Sequence, residues 1–256
     1  HVGDWDIAIS KFNPDGSTLL FSTYLGGSRN ETVHSMVVDN NQNLFILGAT
    51  GSSNFPVTAG SIIFNYNVLG ATDGFIAKFN PSGNSLQYSK MMGGAGEDWF
   101  EGVYVNERDE AYVAGISKST DFYTSANAYQ KTNKGGADIV VVKFNPGGQN
   151  VYYSTYLGGS GDEVYSYSWN NSNVRIAANV REEPIICGIS RSSDFPVTSD
   201  ALYSSNPSSS SAGYYNSSAT ITKLDFLGSK LLYGTYYGGS SYEVPGANKL
   251  KRVGCY

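Results

Sequence analysis

The chain holds 256 residues, 40% hydrophobic and 14% aromatic, with 30 glycines, 20 tyrosines and 3 methionines, a composition that favours strands over helices and excludes wholesale disorder. Seventeen Lys and Arg against 22 Asp and Glu give a formal net charge of −5, which excludes binding through a basic, phosphate-neutralising face. No apolar run approaches the roughly 18 residues of a membrane helix and no leader-like segment opens at His1, so a soluble protein stripped of any signal peptide is expected.

The first predicted strands are Ile7–Phe12 and Leu19–Leu25, joined by Asn13-Pro14-Asp15-Gly16, whose Asn, Pro and Gly suit the first, second and fourth positions of a type I turn. A second hairpin runs from 36–38 through 39–43 into 44–47. The pattern then returns, with strands at 75–79 and 86–92 around Asn80-Pro81-Ser82-Gly83, and at 103–105 and 111–114 around 106–110. A third round carries Lys143-Phe144-Asn145-Pro146, and a weaker fourth carries Lys223-Leu224-Asp225-Phe226.

These rounds are copies of one unit. The anchor lysines Lys11, Lys78, Lys143 and Lys223 stand 67, 65 and 80 residues apart, and a glycine pair begins fifteen residues after each, at Gly26, Gly93, Gly158 and Gly238. Further landmark glycines, Gly48, Gly115 and Gly188, each precede a phenylalanine by seven residues, at Phe55, Phe122 and Phe195. The third unit carries an eight-residue insertion, placed around 166–173. Ile139-Val140-Val141-Val142 is apolar on both alternating faces, so its sheet is expected to be covered on both sides. Four-stranded antiparallel sheets packed around an axis meet that demand without helices, which predicts an all-β propeller; a sandwich or solenoid is the alternative.

The strings Asp138 to Asn145, Tyr153-Ser154-Thr155-Tyr156-Leu157-Gly158-Gly159-Ser160-Gly161-Asp162-Glu163 and Ser193-Asp194-Phe195-Pro196-Val197-Thr198 closely resemble the bacterial SBBP beta-propeller repeat family. The resemblance implies a propeller on secreted or surface-attached bacterial proteins with no common enzymatic activity. It thins at 166–183, at Asp225-Phe226 and after Pro245. Blades are predicted at about 31–92, 98–157 and 163–237, with 1–25 and 240–256 forming a terminal partial blade. Either a four-bladed ring closes by mixing both termini, or the chain belongs to a longer propeller; the family name implies seven blades.

An acid stands four residues after each glycine pair, at Glu31, Asp98, Glu163 and Glu243. Against Lys11, Lys78, Lys143 and Lys223, each otherwise costly to bury unpaired, this predicts a structural ring of ion pairs between adjacent blades. Cation binding, helped by Glu97 and Asp162, is the alternative, but no Asp-x-Asp-x-Asp-Gly spacing occurs, and no metal or cofactor is expected.

The connections 57–72, 123–137 and 197–219 exceed what four-stranded blades need and are rich in aromatic side chains, including Phe64. Tyr66, Tyr129, Tyr203, Tyr214 and Tyr215 are therefore the candidate ligand contacts, suited to sugars or protein surfaces, with gap-filling between blades the alternative for Tyr129 and Tyr203. Of the two histidines, His1 and His34, neither lies near a catalytic motif, and glycine loops such as Gly158 to Gly161 lack the helix N-terminus of a phosphate cradle. Asn30, Asn170 and Asn216 head glycosylation-type triplets, and Cys187 reads as a buried thiol, with pairing to Cys255 the alternative. The expected function is a non-enzymatic extracellular module of a bacterial surface assembly, contacting polysaccharide or a partner protein. A self-assembling filament or surface-layer subunit and a polysaccharide-processing enzyme, needing only two carboxylates, are the alternatives.

Overall fold

The computed structural model describes residues 3–58, 72–164, 174–208 and 217–239. Its strands are β1 (Ile7–Phe12), β2 (Leu19–Leu25), β3 (Glu31–Val38), β4 (Leu44–Thr50), β5 (Asp73–Phe79), β6 (Leu86–Met92), β7 (Asp98–Val105), β8 (Ala111–Ser117), β9 (Asp138–Phe144), β10 (Val151–Leu157), β11 (Arg175–Ala178), β12 (Pro184–Ser190), β13 (Ser218–Leu224) and β14 (Leu231–Tyr237). No described residue is helical, so the protein is all-β. Paired strands run antiparallel in chain order, giving a β1-β2 hairpin and three four-stranded sheets, β3 to β6, β7 to β10 and β11 to β14. The insertion placed at 166–173 and the C-terminal partial blade at 240–256 lie outside the described residues.

The Asn-Pro turns form because the asparagine side chain replaces a ladder acceptor: Asn13 Oδ1 accepts the Thr18 amide at 3.0 Å and Asn145 Oδ1 accepts that of Asn150 at 2.9 Å. The fourth turn loses Pro and Asn yet keeps its form, since Asp225 Oδ1 accepts the amides of Ser229 and Lys230 at 2.7 and 3.0 Å.

Strand alternation distributes one sheet between two cores. From β9, Ile139 and Val141 enter a core completed by Ile176, Ile186 and Phe195, whereas Val140 and Val142 face Phe45, Leu47 and Ile76. A third core joins Phe75, Ala77 and Phe79 to Ile7, Ile9 and Leu25 of the hairpin. Consecutive sheets meet through their first strands, with β7 against β3 and β4 and β11 against β7 and β8. The rings of Phe21, Tyr88 and Tyr153 lie against Gly83, Gly148 and Gly228, turn glycines of the following sheet with left-handed φ of 68°, 66° and 64°. Every sheet is thereby indexed against its neighbour.

The long connections cover the outermost strands. Ser125 donates its amide to Ser154 O at 2.9 Å and Tyr156 donates to Gln130 O at 3.0 Å along β10, while Thr198 donates to Gly234 O at 3.0 Å along β14. Edges that would otherwise template aggregation are closed in this way. On the same strands Tyr156 Oη donates to Ser119 O at 2.6 Å and accepts the Phe122 amide at 3.2 Å, and Tyr236 repeats the tie to Ser192 O and Phe195 N. Tyr156→Phe should cost about 1–2 kcal/mol in urea unfolding, because two buried main-chain groups lose a partner without a cavity forming. An unchanged urea midpoint would show that the apolar ring, not the hydroxyl, fixes the connection.

Candidate functional site

The structure separates the two halves of the expected ion-pair ring. The lysines sit at the turn ends of their hairpins, where Lys78 Nζ pairs with Asp109 and lies 3.8 Å from Asp39 Oδ2. Lys143 Nζ lies 2.9 Å from Glu110 Oε2 and 3.3 Å from Glu182 Oε2, and Lys223 Nζ lies 3.3 Å from Glu183 Oε2. Lys11 Nζ instead donates to Pro81 O at 3.3 Å. The predicted pairing with Glu31, Asp98 and Glu163 is therefore incorrect: those acids begin or precede the first strands, at the opposite strand end from the lysines. Glu243 lies outside the described residues. The acidic partners of Lys78, Lys143 and Lys223 come from the second-hairpin turns, and Lys78 and Lys143 each reach across to the following sheet.

Glu31, Asp98 and Glu163 organise the glycine-pair loops that carry the chain from one sheet to the next. Gly27 donates its amide to Glu31 Oε2 at 3.0 Å, and Gly94 donates to Asp98 Oδ2 at 2.8 Å. Thr50 and Ser119 add hydroxyls to Glu31 Oε1 and Asp98 Oδ2 at 2.7 and 2.6 Å, and Ser190 adds one to Glu163 Oε1 at 2.9 Å. Asn54, Asp121 and Asp194 then accept the amides of Ser28, Ala95 and Ser160 at 2.7–2.8 Å, closing each loop on the end of the following strand pair.

A second acid enters each loop, at Asp6, Asp73 and Asp138, five residues before the anchor lysine. A Cβ on Gly93 would collide with the Asp73 carboxylate and stand 3.0 Å from Asp98 Oδ2; on Gly158 it would stand 2.5 Å from Asp138 Oδ1 and 2.6 Å from Glu163 Oε2. Only glycine admits two carboxylates against the main chain there. Burial, reinforced by the Asp98 charge, pushes the Asp73 carboxyl up to about 8. Burial also carries Asp98 to about 7 against the hydrogen bonds from Ser117, Ser119 and Gly94. Glu163 is likewise raised, by burial foremost and by Asp138 beside it. Sequence reasoning missed these partners, although their constant offset from the lysines was a readable signal.

Where the first strands meet, β-bulges turn His34 and Glu101 toward one another, with His34 Nδ1 3.7 Å from Glu101 Oε1 and Arg175 3.8 Å from Glu101 Oε2. His34 Nδ1 donates to Phe100 O at 2.8 Å, and burial lowers the imidazole pKa, so the ring is neutral at pH 7. The cluster links β3, β7 and β11. Nothing in the local sequence announced it, because a bulge leaves no fixed spacing.

Of the candidate ligand contacts, Tyr66, Tyr214 and Tyr215 lie outside the described residues. Tyr129 is half-buried against the core between the second and third sheets, and its amide donates to Gly228 O at 2.9 Å. Tyr203 is 43% exposed, held by its amide to Thr235 Oγ1 at 2.9 Å, so its ring is presented on a fixed main chain. Cys187 is half-buried on β12, more exposed than the sequence suggested, and Cys255 lies outside the described residues.

The SBBP beta-propeller repeat family model matches residues 20–56, from β2 through the first glycine-pair loop and the β3-β4 hairpin to beyond Phe55. No curated protein matches the chain.

Proposed function

We propose that the chain forms a β-propeller, or a segment of one, that serves as a non-enzymatic extracellular binding or structural module of a bacterial surface assembly. The observation carrying this reading is the repetition of one four-stranded meander three times, with consecutive sheets packed through their first strands. A rigid, edge-protected stack of like units offers equivalent surfaces at regular intervals, so weak contacts at each unit sum to useful avidity with polysaccharide or a partner protein. Tyr203, exposed on an anchored connection, supplies the flat amphipathic contact that sugars favour.

A self-associating filament or surface-layer subunit is the second reading. It draws on the N-terminal side of the stack, where Trp5, Leu19, Leu20, Tyr24 and Met36 are exposed. A glycan array probed with the whole chain separates the two. Selective binding that falls at least about tenfold in Tyr203→Ala, with an unchanged melting temperature, is the expected result. A blank array with concentration-dependent assembly would transfer the assignment to the filament subunit, and release of shortened saccharide would transfer it to an enzyme.

A further inference from the structure

The loops between sheets concentrate negative charge in places where little answers it. Asp73, Asp98, Asp138 and Glu163 are each no more than 1% exposed. Among the described residues, no donor reaches either oxygen of Asp73, or Asp98 Oδ1, Asp138 Oδ1 or Glu163 Oε2. The partnered oxygens, Asp98 Oδ2, Asp138 Oδ2 and Glu163 Oε1, receive theirs from Gly94 and Ser119, from Gln130 and Lys134 main chain, and from Ser190 and Ser192. Asp98, Asp138 and Glu163 are therefore each oriented through one oxygen and present the other unpartnered, whereas no described donor reaches Asp73. Described anchor lysines that could neutralise the pairs are committed at the opposite strand ends, to Asp109, Glu110, Glu182 and Glu183. Uncompensated ionised carboxylates at such depth are too costly to keep, so each pair holds either a counter-charge or a shared proton.

We propose that the carboxylate pairs of the glycine-pair loops, Asp73 with Asp98 and Asp138 with Glu163, each hold a divalent cation that pins one sheet to the next. The donors on offer are all oxygen, which selects a hard cation. An irregular loop with two carboxylates able to bind through one or both oxygens suits the variable coordination of calcium better than the strict octahedron of magnesium. No group of three or more His, Cys, Asp and Glu side chains converges among the described residues, so the rest of the shell would have to come from main-chain oxygens and solvent. Two ionised carboxylates match one divalent charge. The pair spans a junction: Asp73 opens β5 of one sheet and Asp98 opens β7 of the next, as Asp138 opens β9 and Glu163 precedes β11. Asp6 and Glu31 stand in the same relation at Gly26 between the hairpin and the first sheet. The inference is independent of which surface ligand the module contacts.

Calorimetric titration of the chelator-stripped whole chain with calcium chloride should show saturable binding of at least two equivalents, and excess calcium should raise the melting temperature by about 5–10 °C. Magnesium should shift it much less. Asp73→Asn should lose one bound equivalent, and Asp73→Asn/Asp138→Asn should lose two, with the strand circular dichroism of the wild type preserved. Terbium luminescence sensitised by the aromatic side chains and displaced by calcium gives the same stoichiometry on the wild type should a variant fail to fold. Absence of calcium binding by the folded wild type, or an Asp73→Asn protein that binds as many equivalents, would overturn the proposal; the first result would leave each pair sharing a proton.

Discussion

Lys143→Met is expected to lower the unfolding free energy by about 3 kcal/mol at pH 7, although methionine fills nearly the same apolar slot. The ammonium lies 2.9 Å from Glu110 Oε2 and 3.3 Å from Glu182 Oε2, and stands over the Tyr112 and Tyr152 rings at 4.7 and 5.4 Å. Removing it leaves Glu110, only 7% exposed, and Glu182 across the junction of the second and third sheets with the exposed Arg108 as their shared cation. Burial opposes ionisation of Glu110, but hydrogen bonds from Arg108, Lys143 and Asn106 outweigh it and hold the carboxyl at about 2. A depressed folded pKa stabilises above the unfolded value near 4.5 and ceases to do so as pH falls through the folded value. Wild type should therefore lose about 2 kcal/mol from this group between pH 5 and pH 2, discounted because Arg108 stands in solvent. Lys143→Met should lose less over the same interval, its carboxyl having risen toward the ordinary range. Urea midpoints at pH 7, 5 and 2.5 measure both effects. Equal midpoints at pH 7 would mean that apolar packing alone joins these sheets.

The lysine pairing illustrates what could be read in advance. Four lysines on apolar strands announced that acids must lie near them, because an unpaired buried ammonium is costly. Their identity was not legible. The acids four residues after the glycine pairs recur with perfect regularity, yet they answer the loop amides, while the true partners occupy turn positions that vary as Asp39, Asp109, Glu110, Glu182 and Glu183. Regular spacing along the chain reports a repeated role, and only the register of the β-ladder decides which strand end that role occupies. The all-β class was legible for a stronger reason: both faces of Ile139 to Val142 are apolar, and the structure places them in two different cores. The surplus length of the connections was visible as well. Its use in covering the outer strands, through residues such as Ser125, Gln130 and Thr198, depends on main-chain amides that carry no sequence signature.

The three landmark glycines, indistinguishable by spacing, should respond very differently to one added methyl group. Gly115 lies opposite Phe100, beside the register shift in β7, and Gly48 lies opposite Val33, beside the shift in β3. A Cβ on Gly115 would collide with Trp99 O and stand 2.8 Å from Phe100 Cα, and one on Gly48 would collide with Thr32 O. These are main-chain atoms that cannot swing away, so the first two strands of the sheet must part. Since β7 also packs on the neighbouring sheets, the strain spreads into two cores. Gly188 stands beyond the last pair of the short β11, where, among the described residues, the added Cβ meets the end of Ile139 at 2.6 Å and nothing else closer than 3.5 Å. Rotation of one isoleucine relieves that contact. Gly115→Ala is accordingly expected to cost about 3 kcal/mol, Gly48→Ala about the same, and Gly188→Ala less than about 1 kcal/mol. Chemical unfolding of the three variants tests the bulge directly. Equal losses at all three positions would trace the glycines to the shared repeat alone, whereas the expected inequality assigns Gly48 and Gly115 to the close approach of a bulged first strand.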